Sequence, residues 1–297
     1  MTPEEQRYLL MTEEDEKFLI VADFHIGLEL ETLRDTGVRL EGLSDSVVEE
    51  FCDLVEMTNA TSVFILGDLE HTFRRSRSIS GESKNSVFST SGFFQRKFKE
   101  QVLEPIGALE ATIVLVCGNH DVNSKKILPP SVRVIGPRGF SLSMPGRGRI
   151  GLLHGHAYPS FLSEELILSH IHPTVQIKEE GVDVYHRMPV FLRGVIPTDA
   201  YQSILKDRIP EGKKEPIASS TVRITIIPAF NKTLFGNAVN NPSQSIPSPF
   251  IRKLFSLVDF EIFLTDGRFL GKLSELPPST QVPRKQKSKS TNFSLRI

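Results

Sequence analysis

The stretch IVLVCGNHD, residues 113–121, decides how this chain folds. Its first four residues are apolar at every position, so neither a two-residue nor a 3.6-residue alternation describes them. A short β-branched run that is apolar on both parities fits a strand buried on both faces of a sheet. The run then stops abruptly at Gly118 and delivers Asn119, His120 and Asp121, three polar side chains at the strand's carboxyl end. The same construction recurs in FLIVADFH (18–25), VFILGD (63–68) and RIGLLHGH (149–156).

Helical patterns separate the first runs. In SDSVVEEFCDLVEM (44–57), Val47, Val48, Phe51, Leu54 and Val55 share one face, and Ser46 with Glu49 has the spacing of a capping box. In FFQRKFKEQVLEP (93–105), Phe94, Phe98 and Val102 recur every fourth residue, and Pro105 is expected to end the helix. Strand–helix–strand alternation predicts an α/β fold with a parallel sheet in the first half. The second half changes character. GVDVYHRMPVFLRGVI (181–196) alternates around Pro189, TVRITII (221–227) reads as a strand, and FEIFLTDGRFLGKL (260–273) reads as a hairpin around Asp266-Gly267. A mainly antiparallel sheet packed on the first is expected there.

With 297 residues, 39% of them hydrophobic, and a formal net charge of -1, the chain has enough apolar material for a large core and lacks the charge to coat nucleic acid along its whole surface. Cys52 and Cys117 show no CxxC spacing and read as reduced, mostly buried thiols. No apolar run reaches membrane-spanning length, and the acidic stretch 1–17 is unlike a secretion signal, so a cytoplasmic protein without membrane contact is expected. Segments 74–92 and 276–297, rich in Ser with Arg or Lys, lack apolar periodicity and read as a flexible insertion and a disordered basic tail. The first is either an overhang of the site or a surface loop; the second is either a solubilising end or a track for a nucleic-acid backbone.

The polar residues are placed non-randomly. Asp23 and His25 follow the first run, Asp68 the second, Asn119, His120 and Asp121 the third, His154 and His156 the fourth, and His170 and His172 the apolar stretch ELILS. In an open α/β sheet the carboxyl ends of strands line one crevice. A lone histidine at a strand end is usually a hydrogen-bonded structural residue. Here seven of the eight histidines, His71 included and His186 alone excepted, lie in or beside the series. Imidazole with carboxylate suits Mn, Fe, Zn or Co, and the donor count exceeds the roughly three that one open catalytic zinc needs. Two ions sharing a carboxylate fit better, and such a pair serves phosphoester hydrolysis.

As a set, D-x-H (Asp23, His25), G-D (Gly67, Asp68), G-N-H-D (Gly118 to Asp121), H-G-H (His154 to His156) and H-x-H (His170, His172) resembles the calcineurin-like binuclear metallophosphoesterases. ADFHIGLE (22–29), GDLEH (67–71), HIHP (170–173) and PAFN (228–231) resemble its archaeal SbcD-related, or ICC-like, subgroup. The resemblance spans residues 18–275 and implies a four-layer α/β/β/α sandwich. It implies two divalent metal ions, manganese foremost, with Asp23, His25 and His172 holding one, Asn119, His154 and His170 the other, and Asp68 bridging. His120 would be the general acid, oriented by Asp121. His71 would touch phosphate or support Asp68, and His156 would stand behind the ligands or exchange roles with His154. Ser169 replaces the family's usual glycine before H-x-H, a small-for-small change expected to alter the turn slightly. Pro228 and Asn231 of PAFN are expected to be structural. The implied activity is phosphodiester hydrolysis on DNA, RNA or nucleotides. A phosphomonoesterase and a non-catalytic scaffold on the same fold are the alternatives. The chain lacks the long C-terminal DNA-capping region of full SbcD-type nucleases, which argues against a double-strand-end nuclease.

Overall fold

A computed structural model describes residues 5–38, 42–71, 98–121, 124–178, 184–210, 214–234 and 236–279. The insertion 74–92 and nearly all of the basic tail fall outside them. Sheet one has the order β1-β2-β3-β4-β5, with β1 Leu9–Glu13, β2 Glu16–Val21, β3 Ser62–Ile65, β4 Thr112–Val116 and β5 Val132–Ile135. Strands β2 to β5 are mutually parallel, in a register that aligns Leu19 with Val63, Val63 with Ile113 and Ile113 with Val132. Strand β1, in the acidic N-terminal stretch, pairs antiparallel with β2 as an edge.

Sheet two joins β6 Phe140–Met144, β7 Gly148–Leu152, β8 Glu165–Leu168, β10 Tyr185–Pro197, β11 Thr221–Ile226, β12 Glu261–Leu264 and β13 Phe269–Lys272, while β9 Thr174–Lys178 pairs with β10 off the main path. The expected hairpin forms, with β12 and β13 antiparallel. Two expectations change. The run 149–156, read alongside the first three, supplies β7 of sheet two, and sheet one takes β5 instead. Sheet two is also not simply antiparallel, because β7, β8 and β11 form a parallel centre. Long strand β10 pairs with β9 up to Pro189 and with β11 and β12 beyond it, so the proline that cannot donate sits where the strand changes partners.

Burial explains why the runs are apolar at every position. Along β2, β3 and β4, the residues Phe18, Ile20, Phe64, Val114 and Val116 face sheet two, meeting Ile150, Leu152, Ile167 and Phe191. The alternate residues Leu19, Val21, Val63, Ile65, Ile113 and Leu115 face Val47, Val48, Phe51, Leu54 and Val55 of helix α2 (Leu43–Thr58), with Val102 and Ile106 beside them. The outer face of sheet two is covered by Tyr201 and Leu205 of helix α4 (Thr198–Leu205) and by Phe250, Ile251 and Leu254 of helix α5 (Pro249–Phe255). Three apolar interfaces therefore separate four layers, the α/β/β/α sandwich. No helix among the described residues is long and apolar enough to cross a membrane.

Two helix details depart from the sequence reading. Helix α2 starts one turn early, after Gly42 in the left-handed conformation, so Ser46 lies inside it and donates its backbone N–H to Gly42 O; no capping box forms. Pro105 does not end its helix. Lys99–Leu103 is a π-turn, and helix α3 (Glu104–Ala108) continues through Pro105. The widened turn relieves the clash and the missing N–H that a proline brings to a regular α-helix. Cys52 and Cys117 form no disulfide with each other, and both are half-buried where mostly buried thiols were expected.

Helix α2 also carries the packing that steadies the first polar loop. Phe24 lies between Asp23 and His25, stacked on Phe230 at 4.9 Å and edge-on to Phe51 at 5.1 Å. Asn231 Nδ2 donates to Phe24 O at 2.8 Å, which gives PAFN a structural job. Phe51→Ala removes a fully buried ring and is expected to cost about 3–5 kcal/mol in urea unfolding; a cost under about 1 kcal/mol would show that this cluster does not hold the loop.

Candidate metal centre

The parallel strands of both sheets end on the same side, and their loops bring the polar residues together. The loop backbone is the first sign of a built site. Seven described residues other than glycine have positive φ, and five of them are Asp23 (56°), His25 (46°), Asp68 (50°), His170 (76°) and His172 (42°). The left-handed conformation costs such residues of order 1–3 kcal/mol each and persists only where the surroundings impose it. Interloop hydrogen bonds do so here: Asp23 N donates to Gly67 O at 3.1 Å, His25 N to Asp68 O at 2.8 Å and Phe230 N to Ala22 O at 2.8 Å.

Three donor groups result among the described residues, and two of them contain a carboxylate. Asp23, His25 and His172 each offer an atom within 4.8 Å of the others. Asp23 Oδ1, His25 Nε2 and His172 Nε2 are buried with no hydrogen-bond partner, although Asp23 Oδ1 and His172 Nε2 lie 3.3 Å apart. Three buried, unpartnered donor atoms of the N and O type in one place are costly unless a cation takes their lone pairs. In the second group, Asp68, His154 and His170 also meet within 4.8 Å. His154 Nε2 lies 2.9 Å from His170 Nδ1, 3.2 Å from Asn119 Oδ1 and 3.3 Å from Asp68 Oδ2. Asp68 Oδ2 is also 3.5 Å from His25 Nε2, so this carboxylate stands between the groups. The donor set fits divalent ions.

Of the two histidines in H-G-H, the geometry separates roles. His154 is fully buried with Nδ1 at 2.9 Å from Leu66 O, so Nδ1 carries the hydrogen and Nε2 faces the donors. His156 is partly buried, its ring 5.1 Å from that of His154 and its Nδ1 unpartnered. Ser169 does more than fill a glycine's place: its Oγ donates to Leu66 O at 2.8 Å and lies 3.2 Å from His154 Nδ1. His71 approaches His25, not Asp68, with 2.8 Å between their Nδ1 atoms. His120 lies with its ring stacked on His71 at 5.1 Å and edge-on to His25 at 4.9 Å, while its backbone N–H donates to Asp68 Oδ1 at 2.9 Å.

Asp121 acts differently from the expectation that its side chain orients His120. Its carboxylate accepts from the backbone N–H groups of Gly118 and Asp68, each at 2.7 Å, of Leu69 at 3.0 Å and of Glu70 at 3.3 Å. Those four donors use the four lone-pair positions of a carboxylate, so Asp121 fixes His120 only through the loop it staples. The glycines beside it are steric necessities. A Cβ at Gly118 would lie 2.1 Å from Asp68 Oδ1, and one at Gly67 2.5 Å from the His154 ring. Gly236, which no sequence pattern marks, passes so close to His172 that a Cβ would lie 1.6 Å from its carbonyl oxygen.

Electrostatics sort the histidines. Burial, reinforced by neighbouring histidines, lowers His25 and His170 to about 3 despite the nearby carboxylates, so both are neutral near pH 7 with lone pairs available. Burial, then His154, lowers His156 to about 4. Burial also opposes charge on His154, but Asp68 and then Asp23 outweigh it and raise the group to about 9. Asp23 and Asp68 are correspondingly held below the usual carboxylate range, their burial overcome chiefly by His172 and His154 respectively. Burial and the Asp68 charge raise Asp121 to about 6, which leaves it ionised at neutral pH as its four N–H donors require.

No protein-family model and no curated protein matches the chain. Among solved structures, it is similar to Pseudomonas putida nuclease MPE, at 16% identity over 89% of this chain and 99% of that one, with a TM-score of 0.46. It is also similar to Yfce, a phosphoesterase from E. coli, at 19% identity over 58% and 81% of the two chains with a TM-score of 0.32. A third is an archaeal phosphodiesterase, at 14% identity over 58% and 98% with a TM-score of 0.29.

The raised pKa of His154 yields a pH prediction. A cation bound at Nε2 must displace a proton held up to about pH 9. Apparent metal affinity should therefore rise with pH from 6 to 9 by up to roughly tenfold per unit, with release of about one proton per protein in calorimetry across buffers of different ionisation heat. Affinity independent of pH, with no proton released, would exclude His154 as a ligand.

Proposed function

We propose that the chain is a metal-dependent phosphoesterase of the calcineurin-like superfamily, close to its SbcD-related branch, that hydrolyses phosphodiester bonds in nucleic acid or nucleotides. One observation carries the reading: two groups of buried donor atoms, three of them without a hydrogen-bond partner, flank a single carboxylate, Asp68. Asp23, His25 and His172 would hold one divalent ion, His154, His170 and Asn119 the other, and Asp68 would touch both. Manganese is the first choice for this mixture of imidazole and carboxylate, and iron, zinc and cobalt suit it too. When bound, such ions lower the pKa of a bound water and neutralise charge on phosphate oxygens.

The chain's own residues supply the rest. His120 stands at the edge of the first group, beside His25 and His71, and would give its proton to the leaving oxygen. Burial lowers its pKa, so the ring is neutral in the resting protein, and an anionic phosphate beside it would favour the protonated form. His71 would back His25, whose Nδ1 lies 2.8 Å from its own, and His156 would back His154 and His170. Asp121 holds the loops in register. A cytoplasmic setting is part of this proposal. Residues 284–289 of the basic tail would give a nucleic-acid substrate a backbone contact.

The test sets a nitrophenyl phosphodiester, the matching monoester and single-stranded DNA side by side with added Mn. Turnover of the diester or of DNA is expected, lost with most of the bound metal in Asp68→Asn. His120→Asn should lose about 10²–10⁴-fold in kcat while keeping both ions. Turnover of the monoester alone would make the protein a phosphatase. Silence on all three substrates, or metal loss in His120→Asn, would contradict the assignment.

A further inference from the structure

His25 sits in two donor groups at once: with Asp23 and His172, and with His71 and His120. The second is not explained by the proposed function. The loops that carry it are joined backbone to backbone, with Ile26 N donating to Leu69 O at 2.9 Å and His71 N to Ile26 O at 2.8 Å. This fixes the His25 and His71 rings with their Nδ1 atoms 2.8 Å apart. At the far side of His71, Nε2 meets a carboxylate oxygen of Glu31, from helix α1 (Leu28–Thr36). Three chemical groups thus lie in a row, the Glu31 carboxylate, the His71 ring and the His25 ring, and the row ends at the buried unpartnered Nε2 of His25.

Hydrogen-bond valence dictates how protons sit along such a row. A carboxylate only accepts, so His71 Nε2 carries a hydrogen. An imidazolium at His71 would donate from both nitrogens and drive the hydrogen of His25 onto Nε2; a neutral His71, with its hydrogen on Nε2, has a lone pair on Nδ1 and accepts from His25 Nδ1. That places the hydrogen of His25 on Nδ1 and leaves Nε2 with a lone pair, directed at the group it forms with Asp23 and His172. The reverse arrangement puts a hydrogen on His25 Nε2 and removes it as a ligand. We infer that Glu31 is a positioning residue that fixes the tautomers of His71 and His25 in series and so makes His25 Nε2 the metal-binding atom. This rests on the metal centre of the proposed function but not on its reaction. The ordinary reading of Glu31, an acidic residue favoured in the first turn of a helix by the dipole, accounts for its presence there but not for its contact with His71.

The experiment compares wild type with Glu31→Ala and Glu31→Gln. In chelator-treated protein, long-range ¹H–¹⁵N correlation spectra of the histidines report each tautomer. Wild type should show His71 with its hydrogen on Nε2 and His25 with its hydrogen on Nδ1. Glu31→Ala should turn both into mixtures, and Mn titration followed by electron paramagnetic resonance should show one of two ions weakened roughly 10–100-fold with the other unchanged. Glu31→Gln, whose amide oxygen still accepts from Nε2–H, should recover most of that loss. Unchanged tautomers in Glu31→Ala would overturn the inference, as would equal weakening of both ions, which marks a general structural role. A third Mn bound by wild type and lost in His71→Ala would make the His25–His71–His120 group a metal site instead. No readout requires turnover: wild type that binds two Mn but hydrolyses nothing would sink the phosphoesterase reading and leave the tautomer assignment standing.

Discussion

The site depends on one buried carboxylate that touches no reacting group. Asp121 gathers backbone N–H groups from its own loop and from the loop after β3, and so binds the carboxyl ends of two neighbouring strands into one unit. Without that staple, Asp68 and the backbone of His120 have no common frame, and the 2.9 Å hydrogen bond between them loses its support. The glycines follow from the same constraint. A loop drawn this tightly against Asp68 has no room for a Cβ at position 118. The left-handed backbone of five donor residues is a further local cost, and the three buried interfaces of the sandwich are what offset it.

Most of the fold was legible because buried strands advertise themselves. Phe18 to Val21, Val63 to Leu66 and Ile113 to Val116 alternate between two apolar interfaces, so both parities had to be apolar. The same property hid which sheet a run belongs to. Residues 150–152 have the buried, apolar character of the first three strands, but pair with β8. The antiparallel hairpin at 260–273 was legible from its Asp-Gly turn, whereas the parallel contact between β8 and β11 spans some fifty residues of sequence and leaves no local trace. Pro105 misled because a π-turn directly before it lets the helix continue, and no residue pattern marks such a turn.

The donor residues were visible for a related reason: each interrupts an apolar run at the point where a strand ends. What supports them was not. Asp121 looked like a partner for a side chain and is a partner for four peptide groups. His154 and His156 are equivalent by spacing, and only the Leu66 carbonyl and full burial set His154 apart. Ser169 read as a stand-in for glycine, yet its hydroxyl joins the same carbonyl. Glu31 and Gly236 stand in none of the motifs. Such roles arise from contacts between loops far apart in sequence, to which residue pattern is blind.

The central claim is that Asp68 stands between two cation sites. It is tested most directly by anomalous diffraction from crystals grown with Mn. Two peaks are expected, about 3.5–4 Å apart, one against Asp23, His25 and His172 and one against His154, His170 and Asn119, with Asp68 reaching both. A single peak, or two peaks that Asp68 does not share, would contradict the account.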